Sequence, residues 1–388
     1  MKSLTLFKMR KDVINIKVLH MFTTLDAGGV ESFLYNYYME MKEDIQFDFI
    51  VPSNKKGFLE EELVSNGCQI FHVPTLKKSP IKQIKLILNI IKNNNYDIIH
   101  CHGYKSFIGL ILGYFSNCKV RIMHSHMVYI DEKKYEKIIR FLITKIINVF
   151  CTSKFACGVD AGIFLFGRKA FDNKQVTVIN NAVDLEKYKF NSKAREKIKK
   201  ELAIPEDTYI IGNIARLTYQ KNQKFLLDIS NLIRKNQYNM KILLVGNGED
   251  EKYLKDVINE ESLQDIVYML GKRKDIPDIL SAIDLFVLPS RYEGLPVVLA
   301  EVQASGLQSI VSNHVTDEVN VTDSILYLPI NNANEWFKKI ISIKEEKNYN
   351  QRLDIMNRMK DSKFDLAKQA RDLLNIYNGL WKRQYENK

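Results

Sequence analysis

The chain has 388 residues, roughly two to three times the ~100–200 residues of an average domain, so we expect two domains. Hydrophobic residues make up 46% of the chain and charged residues 27%, with 17 Gly and only 8 Pro, which excludes long disordered or low-complexity segments. The five cysteines are irregularly spaced and form no CxxC pair, so we expect reduced thiols rather than disulfides or a zinc site.

The net charge of +11 is concentrated in the first half of the chain. Residues 1–180 contain 25 Lys and Arg against 16 Asp and Glu, a balance of +9, and the remainder contains 32 against 30, a balance of +2. A basic surface attracts the phosphates of nucleic acids, anionic bilayers or small molecules, and charge alone does not choose among them. The uncharged stretch 106–118 is shorter than the ~18–20 residues of a membrane-spanning helix, and the N-terminus lacks a signal-length apolar core. We therefore expect a cytoplasmic protein.

Short β-branched runs alternate with amphipathic stretches along the chain. In the first half, strands are predicted at 17–23, 47–51, 70–73 and 98–101, and helices at 29–41 and 80–93. In the second half, strands are predicted at 209–214, 241–245, 267–270 and 285–288, and helices at 222–234, 250–260, 276–282 and 296–305. This alternation is typical of parallel strands joined by crossover helices, so the predicted class is α/β with two similar halves.

The two halves are separated by residues 180–208, which carry no strand pattern. We interpret this segment as an interdomain connection followed by a charged helix that ends before Pro205. The last segment, 365–388, contains a long amphipathic helix whose apolar face is expected to pack back on the first domain. The predicted domains are therefore 1–182 and 183–364, followed by this helix.

Two adjacent glycines, Gly28 and Gly29, follow the first predicted strand and precede a helix that contains Glu31. Glycine lets the backbone approach a ligand closely, and the start of the helix offers free N–H groups to an anion or a sugar hydroxyl. In an open parallel sheet this position lies at the carboxyl ends of the strands, where ligands bind. A tight turn without a ligand is the alternative.

A second pair of glycines starts at Gly246, directly after a predicted strand. A dinucleotide fingerprint would need a third glycine, and Glu249, Asp250 and Glu251 would repel a pyrophosphate. A nicotinamide nucleotide is therefore not expected here. The acidic residues either cap the next helix or line a ligand site.

Arg216 and Lys221 follow the first predicted strand of the second half. The guanidinium is a planar fork and the ammonium a mobile point charge, a pair suited to a diphosphate whose charge grows as it leaves. Such stabilisation needs no metal ion. The alternative is two solvated surface cations.

Two carboxylates, Glu293 and Glu301, flank a predicted helix start at Pro296. Glu301 would lie in the second turn and Glu293 in the preceding loop, so both could face one cleft. A carboxylate can accept two hydroxyls, which suits one for a ribose diol and the other for sugar hydroxyls. The pair is poorly arranged to flank a glycosidic bond as glycosidase acids do.

Six of the seven histidines lie in the first half of the chain. His100 and His102 end one strand, and His124 and His126 end the next predicted hydrophobic run. Alternation sends both members of each pair to the same side of a strand, at the ligand-bearing edge of the sheet. Zinc is an alternative, but no carboxylate or cysteine spacing completes a site, so no metal is predicted.

The motif Gly28-Gly29-Val30-Glu31, the Arg216 and Lys221 pair, and Glu293-x7-Glu301 within the segment 290–306 resemble the retaining, nucleotide-sugar-dependent glycosyltransferases of family 4. The resemblance extends from about residue 17 to the final helix, and the Glu-x7-Glu segment is its specific part. It implies the GT-B fold, with two Rossmann-like domains facing across a cleft. It also implies metal-independent catalysis.

The resemblance implies a role for each candidate residue. The residues that bind the donor would be Arg216, Lys221, Glu293, Gly294, Leu295, Glu301 and Gly246. The first two would hold the diphosphate, Glu301 the ribose, and Glu293 with the backbone of Gly294 and Leu295 the sugar and pyrophosphate. The catalytic set would be Glu293, His124, Arg216 and Lys221. The acceptor or sugar side would contain Gly28, Gly29, Glu31, His126 and His102, with His124 preferred over His126 as the contact to the donor sugar.

The expected function is transfer of a hexose or N-acetylhexosamine from a nucleoside diphosphate, uridine favoured, to a hydroxyl of a glycan or polyprenyl-linked acceptor in bacterial surface polysaccharide synthesis. The alternatives are a sugar-nucleotide epimerase with the same two-domain plan and a basic nucleic-acid binder, although no nucleic-acid motif is present. The segments 77–92 and 133–147 mix lysines with an apolar stripe. They either rest on an anionic membrane surface or are core-facing helices with solvated lysines.

Overall fold

The computed structural model describes residues 16–22, 29–53, 56–57, 59–126, 133–346 and 349–385. The chain divides into two compact units. The first unit contains residues 1–181 and 366–388, and the second contains residues 182–365. The boundaries expected from the sequence, 182/183 and 364/365, lie one residue away from these.

The first unit contains the parallel strands β1 to β7 and the helices α1 to α7. The strands are β1 (Ile16–Met21), β2 (Ile45–Val51), β3 (Ile70–His72), β4 (Ile98–His102), β5 (Val120–Ser125), β6 (Ser153–Ala156) and β7 (Val176–Val178). The helices are α1 (Gly29–Met41), α2 (Glu60–Ser65), α3 (Pro80–Asn94), α4 (Ile108–Phe115), α5 (Lys134–Phe150), α6 (Val159–Phe166) and α7 (Arg168–Asp172).

Within the described residues of this unit the strands form one parallel sheet in the order β3-β2-β1-β4-β5-β6-β7. All five residues of β4 are buried, as expected for a central strand covered by helices on both faces. The strand order reverses between β1 and β4. In open α/β sheets such a switch point opens a crevice beyond the carboxyl ends of the strands, and ligands bind there.

The second unit contains β8 to β13 and α8 to α15. The strands are β8 (Tyr209–Ile214), β9 (Met240–Val245), β10 (Val267–Gly271), β11 (Leu285–Leu288), β12 (Ser309–Ser312) and β13 (Ile325–Leu328). The helices are α8 (Leu185–Tyr188), α9 (Ser192–Glu201), α10 (Lys224–Lys235), α11 (Glu251–Glu260), α12 (Ile276–Ala282), α13 (Val297–Ala304), α14 (Ala333–Glu345) and α15 (Tyr349–Met359).

The sheet of the second unit has the order β10-β9-β8-β11-β12-β13 in the part of the chain that the structure describes, and its pairs are parallel. Its switch point lies between β8 and β11. Buried apolar residues pack on both faces of the sheet, with Phe286 and Leu288 in one cluster and Leu285 and Val287 in the other. Two Rossmann-like parallel sheets are therefore present, and the predicted α/β class is confirmed.

The final helix, α16 (Leu366–Tyr385), belongs to the first unit and packs against α1. Leu373 and Tyr377 on its apolar face are buried, and the Trp381 indole Nε1 donates to Asp97 Oδ1 at 3.0 Å. Apolar burial and this polar contact hold the helix on its unit.

The two lysine-rich segments adopt different environments. Helix α3 buries Ile87 and Ile91 in the core of the first unit, which is the core-facing alternative. Helix α5 instead buries Ile147 and leaves Ile138, Phe141 and several other apolar side chains exposed. Among the described residues, no helix combines the length and apolar character needed to cross a bilayer.

Candidate active site

At the switch point of the second sheet, the loop after β8 is tied to the loop after β11. The amide of Asn222 donates from Nδ2 to the Pro289 carbonyl at 3.1 Å and accepts from Arg291 Nη2 at 3.0 Å. The Arg291 backbone N–H donates to the Gln220 carbonyl at 2.8 Å. Asn222 has a φ of 57°, a left-handed conformation that asparagine tolerates better than most residues. The two predicted donor-binding segments are thus held as one structure.

Lys221 and Glu293 form an ion pair where these two loops meet. The Lys221 Nζ lies 2.5 Å from Glu293 Oε1, and the side chains are 19% and 6% exposed. The same carboxylate oxygen accepts from the Ser290 hydroxyl at 2.6 Å. Because charge-assisted hydrogen bonds are strong where the side chains are mostly buried, Glu293 fixes the position of the ammonium. Lys221 is therefore not a loose surface cation.

Arg216 lies in the same loop with an exposed side chain. Its backbone is fixed, because its carbonyl accepts from Gln223 Nε2 at 3.0 Å and its neighbour Leu217 donates to the Asn247 carbonyl at 3.0 Å. Within the described residues its guanidinium has no protein partner. The five donor N–H groups remain available to a ligand.

Gly246 is required by the close approach of two backbone segments. A Cβ at this position would lie 2.0 Å from the Ala215 carbonyl oxygen, and its φ of 137° is unfavourable for other residues. Gly248 is equally crowded, since its Cβ would lie 2.1 Å from the Leu217 carbonyl oxygen. The glycines therefore support the loop that carries Arg216. Their neighbour Glu251 lies in the first turn of α11 and pairs with Lys255, as expected of a helix-start acid.

Helix α13 begins at Val297, so Glu301 lies in its second turn and Glu293 in the preceding loop, as the sequence predicts. A Cβ on Gly294 would meet no atom within 4 Å, so its backbone borders open space. The Leu295 side chain packs against the core of the unit. Glu301 Oε1 accepts from the Tyr188 hydroxyl at 2.8 Å. Burial raises the pKa of Glu301 to about 7, although the Tyr188 hydrogen bond acts to lower it.

In the first unit, five histidines form hydrogen-bonded chains at the switch point. His20 on β1 is paired in register with His100 on β4, and His102 on β4 with His124 on β5. His102 bonds to His20 at 2.9 Å through Nε2 and to His126 at 2.8 Å through Nδ1. His100 bonds to His124 at 3.2 Å, and its Nδ1 lies 2.7 Å from the Tyr377 hydroxyl of α16.

Burial keeps these rings neutral. It lowers the pKa of His20 and His126 to about 3, and it also lowers the pKa of His100, His102 and His124. Two groups of three, His20 with His100 and His102, and His102 with His124 and His126, have nitrogens close enough to be considered as metal ligands. The spacings of 2.8 and 2.9 Å are those of hydrogen bonds, shorter than the ~3.3 Å between nitrogens that share a tetrahedral zinc. The arrangement is therefore that of hydrogen-bonded rings.

The structure places His124 and His126 at different depths, and it does not test which of them contacts the donor sugar. His124 is fully buried, with its ring against the edge of Phe33, whereas His126 is partly exposed. His126 Nε2 is bonded to His102, and its Nδ1 is buried without a partner among the described residues, as is His124 Nε2, so both residues remain candidate contacts. The strand ends at Ser125, which leaves His126 at the start of the following loop.

The glycine motif of the first unit is only partly described. Gly28 lies outside the described residues, and Gly29 is the first residue of α1. Glu31 lies in the first turn of α1 and is 8% exposed. His102 is 3% exposed and connects His20 to His126. His102 is therefore placed to support His126 rather than to face solvent.

Sequence reasoning missed three residues of these sites: Tyr188, Ser290 and Tyr377. Ser290 lies in the Glu-x7-Glu segment, where its proximity to Glu293 could have suggested the hydrogen bond. Tyr188 and Tyr377 contact residues 113 and 277 positions away, so no local pattern predicts them.

Two parallel α/β units in one chain, each with polar side chains at its switch point, form the architecture of GT-B glycosyltransferases. A protein-family model described as Glycosyl transferases group 1 matches residues 194–360. A second family model, described as Glycosyltransferase Family 4, matches residues 27–187. The putative glycosyltransferase EpsF of Bacillus subtilis (strain 168) is 31% identical over 373 residues, covering 93% of this chain and 96% of EpsF. The chain therefore belongs to the family 4-like glycosyltransferases of GT-B fold.

Two further comparisons concern an enzyme and a solved structure. UDP-Gal:alpha-D-GlcNAc-diphosphoundecaprenol alpha-1,3-galactosyltransferase of Escherichia coli is 26% identical, covering 95% of this chain and 98% of that enzyme. The crystal structure of Anabaena Alr3699/HepE in complex with UDP-glucose has a TM-score of 0.74 and 17% identity, covering 94% of this chain and 100% of that chain. The structural likeness establishes the shared fold.

Proposed function

We propose that this glycosyltransferase moves a hexose or N-acetylhexosamine from a uridine diphosphate sugar to a hydroxyl of a lipid-linked glycan in bacterial surface polysaccharide synthesis, with retained anomeric configuration. The observation that carries the proposal is the Lys221–Glu293 ion pair at 2.5 Å, with the exposed guanidinium of Arg216 in the same loop. The name of the Escherichia coli relative supports a uridine donor and a diphosphoundecaprenol-linked acceptor, and the HepE complex supports the same donor class.

The proposed donor chemistry uses fixed cations. As the bond between sugar and diphosphate breaks, negative charge grows on the leaving oxygens. Arg216 offers a fork of N–H donors and Lys221 a positioned ammonium, and such preorganised charge lowers the barrier without rearrangement. Because these two cations supply the charge, the proposal includes no metal ion. Glu293 holds Lys221 through Oε1, which leaves its other oxygen to accept a sugar hydroxyl.

Retention follows if the acceptor attacks on the face that the diphosphate leaves. The acceptor hydroxyl then loses its proton to the departing phosphate oxygen, and no side chain forms a covalent bond to the sugar. In the first unit, His126 is less buried than His124, and we propose it as the residue that would hydrogen-bond the transferring sugar. Its neutral state, due to burial that lowers its pKa to about 3, suits this contact better than a proton-donating role.

The surface of helix α5 supports a lipid-linked acceptor. Ile138 is 61% exposed, Phe141 57% and Leu142 54%, and the helix also carries Lys134 and Lys137. An exposed apolar face beside lysines favours an anionic bilayer surface, where a lipid carrier would present the acceptor. Peripheral attachment to the inner face of the membrane is part of the proposal.

Thermal shift with a panel of nucleoside diphosphates and their sugars tests the donor site. Ligands that bind the folded state raise the melting temperature, and uridine compounds should give the largest increase. Arg216→Ala should abolish that increase, whereas Arg371→Ala, an exposed arginine of α16, should preserve it. An unchanged increase in Arg216→Ala would contradict the assignment of the donor site.

Product analysis tests the reaction itself. Incubation with the donor and a lipid-linked acceptor should yield a glycoside with the anomeric configuration of the donor, as read from proton coupling constants. A changed sugar nucleotide formed from the donor alone would instead indicate an epimerase.

A further inference from the structure

Tyr188 contacts Glu301 from the segment that links the two units. From the sequence, we interpret residues 180–208 only as a connection and a charged helix. In the structure Tyr188 ends the single turn α8, is 9% exposed, and donates its hydroxyl to Glu301 Oε1 at 2.8 Å. This hydroxyl leaves Oε2 as the carboxylate oxygen that can meet a ligand.

The direction of the Tyr188 hydroxyl is fixed by its surroundings. The Asp184 carboxylate caps α8 by accepting from the Lys187 backbone N–H at 3.0 Å. The Tyr188 ring then packs in the apolar cluster that also contains Leu299 and Ala300 of α13. An anchored ring with a fixed hydroxyl imposes one orientation on the carboxylate that it contacts.

Among the described residues, few charged groups influence the ionisation of the Glu301 carboxyl group. Lys187 of α8 favours the ionised form electrostatically. Helix α15 also packs on α13, but its Arg352 donates from Nε to the Ser305 carbonyl, beyond the end of α13. Tyr188 is therefore the hydrogen-bond donor that the described residues supply to this carboxylate.

We propose that Tyr188 is a positioning residue that favours the ionised form of Glu301 and orients it to accept the ribose hydroxyls of the donor, an inference that rests on the function proposed above. An ionised carboxylate is purely an acceptor, whereas a protonated one carries a hydrogen that competes with the diol. Burial raises the pKa of Glu301 to about 7, and the Tyr188 hydroxyl opposes this shift. Without the hydroxyl, we expect the pKa of Glu301 to rise further, so that a larger fraction of the carboxyl group is protonated at neutral pH.

The test measures uridine diphosphate affinity by calorimetry between pH 6 and 9 in the full chain. Wild-type affinity should rise with pH as Glu301 ionises. In Tyr188→Phe the midpoint of this rise should move up by about one pH unit, which weakens binding about fivefold near pH 7 and restores it near pH 9. Glu301→Gln should show only the rise that comes from ionisation of the ligand's terminal phosphate near pH 6, and the double variant should behave like Glu301→Gln.

Two controls separate positioning from a structural effect. Tyr327→Phe removes another half-buried tyrosine hydroxyl of the same unit, bonded to the Thr316 carbonyl, and should leave the pH midpoint unchanged. 2′,3′-Dideoxyuridine diphosphate lacks the diol, so its affinity in wild type should show only the pH dependence of its terminal phosphate and no step at the Glu301 midpoint.

A direct titration of Glu301 by carboxyl carbon NMR, assigned with Glu301→Gln, should show a higher pKa in Tyr188→Phe. An unchanged pKa, or a uniform loss of affinity at every pH, would overturn the inference while leaving the donor site intact. If no nucleoside diphosphate binds wild type, the proposed function fails and the ribose role of Tyr188 fails with it. In that case the NMR titration still reports whether the hydroxyl controls the carboxyl group.

Discussion

The Lys221 ammonium and the Glu293 carboxylate lie 2.5 Å apart although 72 residues separate them in the chain. They meet because β8 and β11 are neighbours in the sheet, so the loops after these strands end at the same edge. A cation for the diphosphate and a carboxylate for the sugar are thereby held as one unit. A substitution of either residue should therefore also change the surroundings of the other.

Glu293→Gln should separate nucleotide binding from sugar transfer. The amide keeps a hydrogen bond to the Ser290 hydroxyl but no longer neutralises Lys221, so the ammonium becomes more available to a diphosphate. We expect uridine diphosphate affinity to be equal or higher, while turnover falls by roughly 100-fold, a typical loss for a group that stabilises the transition state. Calorimetry and a single-turnover assay measure the two quantities.

Unlike Glu293→Gln, Lys221→Ala should reduce nucleotide affinity, by roughly 10- to 100-fold, because the ammonium itself is lost. Lys235→Ala, which removes an exposed lysine at the end of α10, is the matched control and should retain wild-type affinity. A Glu293→Gln variant that loses nucleotide affinity as strongly as Lys221→Ala would show that the carboxylate does not compete for the ammonium.

Gly248→Ala and Gly294→Ala should have different consequences although the chemical change is identical. The added methyl group of Gly248→Ala would lie 2.1 Å from the Leu217 carbonyl oxygen and must displace the loop that carries Arg216. We expect a loss of about 1–3 kcal/mol in the free energy of unfolding, together with weaker nucleotide binding. Urea unfolding and thermal shift measure both effects.

Gly294→Ala places its methyl group where no protein atom lies within 4 Å, so stability should be retained. Donor binding should still weaken, because the methyl group occupies the space beside the backbone that the sugar and pyrophosphate would approach. Wild-type donor affinity in this variant would place the ligand elsewhere.

The buried histidines should make the first unit sensitive to acid. Burial lowers the pKa of His20 and His126 to about 3. Below about pH 6.5, these two rings are therefore protonated in the unfolded chain but remain neutral in the folded chain. The contribution of these rings to the free energy of unfolding is therefore fully present above pH 6.5 and is lost as the pH decreases toward 3. When both unfolded rings are fully protonated, these two residues alone give a slope of about 3 kcal/mol per pH unit. Urea unfolding at several pH values measures it.

Replacing His126 with Gln removes one of these two protonation sites. It should therefore reduce the slope by about 1.4 kcal/mol per pH unit. His72→Gln should act in the opposite direction, because the Glu60 carboxylate at 2.8 Å raises the pKa of His72 and its protonation stabilises the folded state at low pH. Equal acid sensitivity in all three proteins would contradict the neutral state of the buried rings.

Helix α5 should control binding to vesicles. Replacing Ile138, Phe141 and Leu142 with Ser removes three exposed apolar side chains and keeps the lysines. Burial of each such side chain contributes about 1–2 kcal/mol, so partitioning onto anionic vesicles should fall at least 100-fold. Sedimentation with anionic and neutral vesicles measures it. Ile81→Ser on α3, also an exposed isoleucine, is the control, and equal losses in both variants would argue against a docking role for α5.

Much of the fold was predictable because local periodicity follows directly from secondary structure. The bounds predicted for helix α1, strands β8 and β11, and helix α12 coincide with those of the structure. The placement of Glu301 in the second turn of α13 was also correct, because a proline near the first turn marks a helix start. These features depend on residues close together in the chain.

The preference for His124 over His126 stays a prediction, because the sequence pattern does not report how deeply either ring is buried. Alternation assigns both rings to one side of a strand but does not say where the covering helix ends. Phe33 of α1 packs against both rings, yet only His126 lies beyond the strand and keeps exposed surface. Depth of burial depends on the packing of α1, which sequence alternation does not report.

By itself the sequence determined the α/β class, the two halves and the types of side chain at each strand end. Only the tertiary structure decided which of those side chains meet: Lys221 with Glu293, Tyr188 with Glu301, and Tyr377 with His100. The physical reason is that strand order and helix packing, rather than chain order, bring distant residues within hydrogen-bond distance. Burial at those contacts then sets the protonation of the groups.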